Sequence, residues 1–194
     1  MALTTVRSTG ISSLPAISAA NLTSIPAANL TGTLPAINGS ALTGISGGKI
    51  GQVLNTVWHN NNTTTSSTYS ATSGTLAITP TATNSKVLVI INACSIYCAN
   101  SDTNIDLAIS RSGGASGDGN ILEFEGTAGY DQDTVGVGGG GSTISYLDSP
   151  ATTSAVTYGL QFRSSNNSHN VYINHWVRGD VRPRSAITLM EVLN

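Results

Sequence analysis

Charge is what this sequence has least of. Of 194 residues only 8 are Lys or Arg and 10 are Asp or Glu, and lysine occurs at just two positions, Lys49 and Lys86. With a net charge of -2 and an isoelectric point near 5.8, the chain has no basic field to draw in a polyphosphate, so no nucleic-acid partner is expected. No apolar run nears the roughly 18 residues of a membrane helix, and Met1 to Gly10 has no signal-peptide core. The expectation is a protein made in a cytoplasm, without membrane insertion, so the triplets at Asn21, Asn29 and Asn38 match the glycosylation pattern only formally. Cysteine is nearly absent as well. Cys94 and Cys98 stand four residues apart in what reads as one strand, about 13 Å at ~3.3 Å per residue, too far to pair. With no His pair beside them they read as small buried hydrophobes, not zinc ligands.

Hydroxyls and amides fill the space that charge leaves. Ser and Thr occupy 50 positions, Asn 17 and Gly 21. Thr, Val, Ile and Tyr suit a pleated surface, and Gly, Asn and Ser suit its corners, so strands are favoured over helices. Apolar residues make up 39% of the chain and fall in alternating runs, which argues for a folded β-protein over a disordered one.

The front of the chain repeats one phrase three times between Leu14 and Gly44: Leu14-Pro-Ala-Ile-Ser, Ile25-Pro-Ala-Ala-Asn and Leu34-Pro-Ala-Ile-Asn, each followed by Leu-Thr-Ser or Leu-Thr-Gly. The large apolar residues are Leu14, Ile17, Leu22, Ile25, Leu30, Leu34, Ile37, Leu42 and Ile45, spaced by three to five. Pro15, Pro26 and Pro35 forbid the helix that this spacing suggests, because each removes a backbone donor and restricts the residue before it. An extended, turning segment of about 30 residues cannot bury nine aliphatic side chains alone. It must bury them against other chains or a host surface, most simply in a symmetric oligomer, with three the natural number for a thin stalk. These nine residues are the candidate oligomer or particle contacts.

From Gly51 the pattern changes to short alternating runs parted by turn clusters, the signature of a sandwich or jelly roll. Strands are expected near Gln52–His59, Thr68–Thr72, Thr75–Thr79, Lys86–Tyr97, Asn104–Ser110, Ile121–Glu125, Gly141–Leu147, Ala155–Ser164, Val171–Val177 and Ser185–Leu193. Lys86-Val-Leu-Val-Ile-Ile91 is apolar on both pleat faces and reads as a central strand, and Val171 to Trp176 mixes characters as an interface border would.

Gly48-Lys-Ile-Gly-Gln-Val-Leu-Asn-Thr-Val57, Leu76-Ala-Ile-Thr-Pro with Lys86-Val-Leu-Val89, Ser145-Tyr-Leu-Asp-Ser-Pro150 and the closing Ser185-Ala-Ile-Thr-Leu-Met-Glu-Val192 resemble the C-terminal β-domains of bacteriophage and prophage tail-fibre-like virion proteins. The likeness covers about three quarters of the chain as motif order and carries no chemistry. It implies an all-β, trimeric architecture: an anchor over 1–13, an extended repeat stalk over 14–48, and a β-sandwich or jelly-roll knob over 49–194.

No constellation stands out as catalytic. Gly136-Val-Gly-Gly-Gly-Gly141 matches G-x-G-x-x-G, but a strand signal follows where a dinucleotide site needs a helix. His59, His169 and His175 form no triad or metal pattern, and His175 beside Trp176 reads as packing in a sheet or interface. Asp102, Asp106, Asp118, Glu123, Glu125, Asp131 and Asp133 include enough carboxylates for glycan hydrolysis, yet their expected loop setting suits solvated turns or a weak cation site better. Arg178-Gly-Asp-Val-Arg-Pro-Arg184 is the one basic cluster, suited to pairing with Asp180, a virion neighbour or an anionic sugar. The expected protein is not an enzyme and takes no cofactor or metal. It is a short trimeric tail fibre in the virion, attached to the particle by its N-terminus and touching the host surface, and its glycans, with its knob. The alternatives are a capsid decoration protein clamping coat subunits and, behind it, a tailspike-like glycan hydrolase.

Overall fold

The computed structural model describes residues 49–100, 102–115, 117–128, 137–138, 140–176 and 182–193. The chain divides into two units, Met1–Ile45 and Ser46–Asn194, and every described residue belongs to the second. The proposed anchor, the repeat and its nine Leu and Ile residues therefore lie outside the described residues. So do Asp131, Asp133 and the Arg-Gly-Asp triplet at 178–180.

Twelve strands and no helix occur among the described residues. In chain order they are β1 (Lys49–Trp58), β2 (Asn62–Thr64), β3 (Ser70–Ile78), β4 (Lys86–Ala93), β5 (Tyr97–Cys98), β6 (Ile105–Ser112), β7 (Gly119–Ala128), β8 (Val137–Gly138), β9 (Ser142–Asp148), β10 (Val156–Ser164), β11 (Val171–Ile173) and β12 (Ser185–Leu193). The all-β expectation holds. Eight long strands form two four-stranded antiparallel sheets, β1-β12-β4-β9 (sheet I) and β3-β10-β6-β7 (sheet II), and the four short ones form a third, β2-β11-β5-β8. Read along the chain, the long strands visit the sheets in the order I, II, I, II, II, I, II, I, which is the strand order of a jelly roll.

Period-two alternation sets the core. Val87, Val89 and Ile91 of β4, with Ile187 and Leu189 of β12, point inward from sheet I, and Ile105, Leu107 and Ile109 of β6, with Tyr158, Leu160 and Phe162 of β10, point inward from sheet II. They join in one buried cluster, which also takes in Val171 and Ile173 of the short sheet. Trp58 enters the same cluster by lying across Gly74 of β3. A Cβ on Gly74 would sit 2.4 Å from the indole, so only glycine lets the ring down onto the strand.

That contact explains a departure from the sequence expectation. Ser73-Gly74 reads as a turn between two strands, but the backbone continues through it as β3, and the glycine serves the tryptophan above it. In the opposite sense, the run from Lys86 to Tyr97 is not one strand. Ser95 takes φ 46°, the ladder stops at Ala93, and β5 starts a new sheet. Cys94 and Cys98 thus do not share a regular strand, although both are thiols, and burial pushes the Cys98 thiol up to about 11. β2 and β8 arise in segments that read as loops; two or three residues are too few for alternation to register.

Buried polar groups pin the sandwich at both ends. Where Lys49 begins β1, Asp148 of sheet I meets sheet II: Arg111 Nη1 donates to both its oxygens at 2.8 and 2.9 Å, and the Tyr158 hydroxyl donates at 2.7 Å. All three residues are buried, and the Arg111 Nε and Nη2 are taken up by the Gly117 carbonyl. Burial, and then the Asp148 carboxylate, push the Tyr158 phenol far above its ordinary value. Nearby Glu191 is fully buried, yet it accepts from Gln52 Nε2 (2.9 Å) and from the Thr81 N–H (2.6 Å) and hydroxyl (2.8 Å). Burial raises its pKa, but these donors outweigh it and hold the carboxyl at about 2 against an ordinary 4.5. At the other end Asn174, at φ 59°, donates to the Trp58 and Asn60 carbonyls and accepts from Ser185 Oγ, while its N–H donates to the Cys94 carbonyl.

Replacing Asp148 by Ala leaves the Arg111 cation buried and unpaired, and is expected to cost about 3–5 kcal/mol in chemical denaturation; an Arg111→Met, Asp148→Leu double variant should recover much of that loss. Because the Glu191 carboxyl is held below its unfolded value, its contribution is whole above pH 4.5 and fades as pH falls toward about 2. The variant Glu191→Gln should therefore lose roughly 2–3 kcal/mol at neutral pH and show a flatter melting temperature across that acidic window.

Candidate functional site

The two sheets present outer faces of opposite character. On sheet I the register aligns Val53 with Met190, Met190 with Leu88 and Leu88 with Leu147, an apolar row across all four strands. Ile50 and Val192 extend it toward Lys49, and Ile90 and Val57 extend it the other way. Ile50 and Val53 are each 54% exposed, Val57 53% and Leu147 45%. Among the positions of this face the only charge is Lys86 at a corner, and its polar members bond to each other, Asn55 to Thr188 at 2.8 Å and Thr143 to Asn92 at 2.7 Å. An antiparallel sheet that faces water normally alternates apolar with polar, so this band is surface that lacks a cover among the described residues.

The outer face of sheet II is polar and low. Thr75, Thr157, Ser110 and Gly159 line a shallow groove of about 270 Å³, and a bulge beside Gly159 brings Thr75 within 3.0 Å of where its Cβ would be. The face then opens into a cleft of about 390 Å³ bordered by Ser67, Asn104, Asp106, Glu125, Arg163 and Ser165. The cleft lies where β6 begins and β10 ends, at the opposite end of the sandwich from Lys49.

Strand pairing builds this cleft. Asp106 of β6 and Arg163 of β10 are register partners, both on the outward side of their strands. Arg163 Nε donates to Asp106 Oδ2 at 2.9 Å, and Nη2 donates to Glu125 at 3.2 Å. The other Asp106 oxygen accepts the Gly126 N–H at 2.8 Å; Gly126 sits at φ 64° next to a bulge in the β6–β7 pairing, which turns Glu125 toward the guanidinium. The guanidinium lies 4.6 Å from the centre of the Tyr69 ring, so it is held from below and from the side. Bonding to Asp106 raises the Arg163 pKa, and burial raises that of the Tyr69 phenol. Asn104 is fixed by two bonds with Ser165, its N–H to Ser165 Oγ (2.8 Å) and its carbonyl from the Ser165 N–H (3.0 Å). Two buried oxygens have no hydrogen-bond partner here, Asn104 Oδ1 and the Tyr69 hydroxyl.

The carboxylates expected in loops thus divide. Asp106 is buried on β6, and Glu123 and Glu125 are exposed on β7, within the strands expected at Asn104–Ser110 and Ile121–Glu125 and not in solvated turns. Asp118 accepts the Gly113 N–H at 2.7 Å as a turn residue, and Asp102 is exposed at φ 57°. The histidines stay apart. His59 is exposed, His169 Nδ1 bonds the Thr103 hydroxyl at 3.0 Å, and His175 stacks on Tyr97 at 4.3 Å with Tyr172 tilted beside it. Burial lowers the His175 pKa. Trp176 is exposed with Arg182 over its ring at 4.7 Å. No group of three His, Cys, Asp or Glu side chains able to hold a metal occurs among the described residues. Arg163, Asn104 and Tyr69 carry no sequence signal, because the cleft comes from β6 lying beside β10, which are far apart in the chain.

No protein family and no curated protein matches this chain.

Removing the guanidinium leaves the buried Asp106 with one donor, so Arg163→Ala is expected to lower stability by about 1.5–3 kcal/mol in urea titration, the scale of charged hydrogen bonds. Arg163→Lys should restore only part of it, since an ammonium cannot serve Asp106 and Glu125 with the same planar fork.

Proposed function

We propose that the chain is a non-enzymatic virion structural protein of a bacteriophage, a short trimeric fibre attached to the particle by its N-terminal part and meeting the host surface with its jelly-roll knob. The observation that carries this reading is the uncovered apolar row Val53–Met190–Leu88–Leu147 on sheet I. Four strands at about 4.8 Å and eight residues at about 3.3 Å give that face roughly 19 by 26 Å, the scale at which exposed apolar patches mark interaction sites. A face without opposing charges suits contact with its own copies around an axis, where like must meet like. The aliphatic repeat of residues 14–45 calls for the same solution.

The remaining geometry agrees with a fibre tip. The cleft, the short sheet and the Tyr97–Tyr172–His175 group all lie together at the end of the sandwich away from Lys49, polar and aromatic groups suited to contact. Sheet II, the layer opposite the apolar face, keeps its polar surface open to water in a trimer closed on sheet I.

Light scattering on the purified chain should give about three times its 19.8 kDa. Val53→Asp and Leu147→Asp should each give a monomer with an unchanged strand circular dichroism spectrum, and a monomeric parent protein would remove the trimer. Gold-labelled antibody to the knob should mark tail tips on intact particles. Labelling spread over the capsid would replace the tail fibre with a decoration protein, and no labelling would end the virion reading.

A further inference from the structure

We infer that the cleft between Arg163, Asp106, Glu125 and Asn104 is a binding site for a neutral sugar, which it holds by neighbouring ring hydroxyls. Its biological sense rests on the fibre reading above; its chemistry does not. The volume of about 390 Å³ falls at the small end of the roughly 300–1,000 Å³ range of ligand pockets, which suits one or two sugar rings.

The lining selects among ligand classes. An anion is opposed by Asp106 and Glu125, with Glu123 close behind, against the single guanidinium of Arg163. A metal cation is opposed by that same guanidinium, which already occupies both carboxylates at 2.9 and 3.2 Å. An apolar ligand finds no wall, since the border is made of Ser, Asn, Asp, Glu and Arg side chains and the Tyr69 ring is covered by Arg163. A hydroxyl group fits, because it donates and accepts at once. Its oxygen can take an N–H of Arg163 or the hydroxyl hydrogen of Ser67 or Ser165, while its hydrogen goes to Glu125 or to Asn104 Oδ1.

Asn104 Oδ1 adds an independent indication. It is buried and has no hydrogen-bond partner, although the residue's backbone is locked on both sides by Ser165. The Ser165 bonds hold the backbone and leave the side chain free to turn, so a donor that enters the cleft can take up this unpaired acceptor. Arg163 is preset, clamped by Asp106 and resting on Tyr69, so little ordering of it remains to be done on binding. Three such clefts on one fibre would convert a millimolar sugar affinity into firm attachment.

Saturation-transfer NMR on the purified full chain tests this, with methyl α-glucoside, methyl α-galactoside and N-acetylglucosamine as probes at millimolar concentration, and sulfate and calcium as competitors. At least one sugar should receive saturation. Asn104→Ala and Glu125→Gln should each weaken that sugar about tenfold, the scale of one hydrogen bond to a charged or buried partner, with melting temperature unchanged. Val53→Asp, on the opposite layer, should bind the sugar normally. The inference is overturned if no sugar is saturated, if the cleft variants bind as the parent does, or if sulfate or calcium displaces the sugar by occupying the cleft. Failure of the sugar with trimer and tail-tip labelling intact would remove the cleft alone; sugar binding by a monomer absent from particles would remove the fibre alone.

Discussion

Asp148 is buried between the two sheets and accepts from Arg111 and Tyr158 of the opposite layer. Aliphatic packing between sheets is tolerant of small slips, but a carboxylate in that setting is satisfied in one geometry only, and leaving it or its cation unmatched is severely penalised. The chain has few charges, and it places this one where sliding of the layers would break three hydrogen bonds together. At the far end Asn174 has a comparable role through neutral bonds, joining the exit of β1 to the start of β12. Between these two pins the outer surfaces of both sheets are held in fixed positions.

The strands were largely legible in the residues, because alternation survives wherever one face is buried. Ser185–Leu193 and Val156–Ser164 are read almost to the residue. What alternation cannot tell is which polar residue goes inside. Asp148 follows Tyr146 and Leu147 and precedes Ser149-Pro150, a context that reads as the polar end of a strand, and it becomes buried only because Arg111 and Tyr158 arrive from other strands. Asp106 is expected in a solvated turn; it stands on the outward side of β6, where its register partner Arg163 closes over it. Both cases depend on strand neighbours brought together by the crossing order of the jelly roll, which local pattern does not encode.

Lys86 to Ile91 is apolar on both faces, and the central position this suggests is where β4 lies, between β12 and β9. Yet β4 has a packed layer on one side only: Val87 and Val89 are buried, while Leu88 and Ile90 form part of the uncovered band. A doubly apolar strand at the surface of a two-layer fold is a request for a third layer. The candidate cleft, by contrast, was invisible beforehand, since its members stand at 67, 104–106, 125 and 163–165 and meet only through register, a bulge and one glycine in the left-handed region.

The register of β1 with β12 has a mechanical consequence. Lys49 pairs with Leu193 and Trp58 with Ser185, so β1 runs the length of the sandwich, from the end that carries Asp148 to the end that carries the cleft. A pull between those two ends is directed along the strands, perpendicular to the hydrogen bonds of the antiparallel ladder. The β1–β12 ladder is then loaded in shear, all its bonds sharing the force, where a pull across the strands at one end would peel them open one after another.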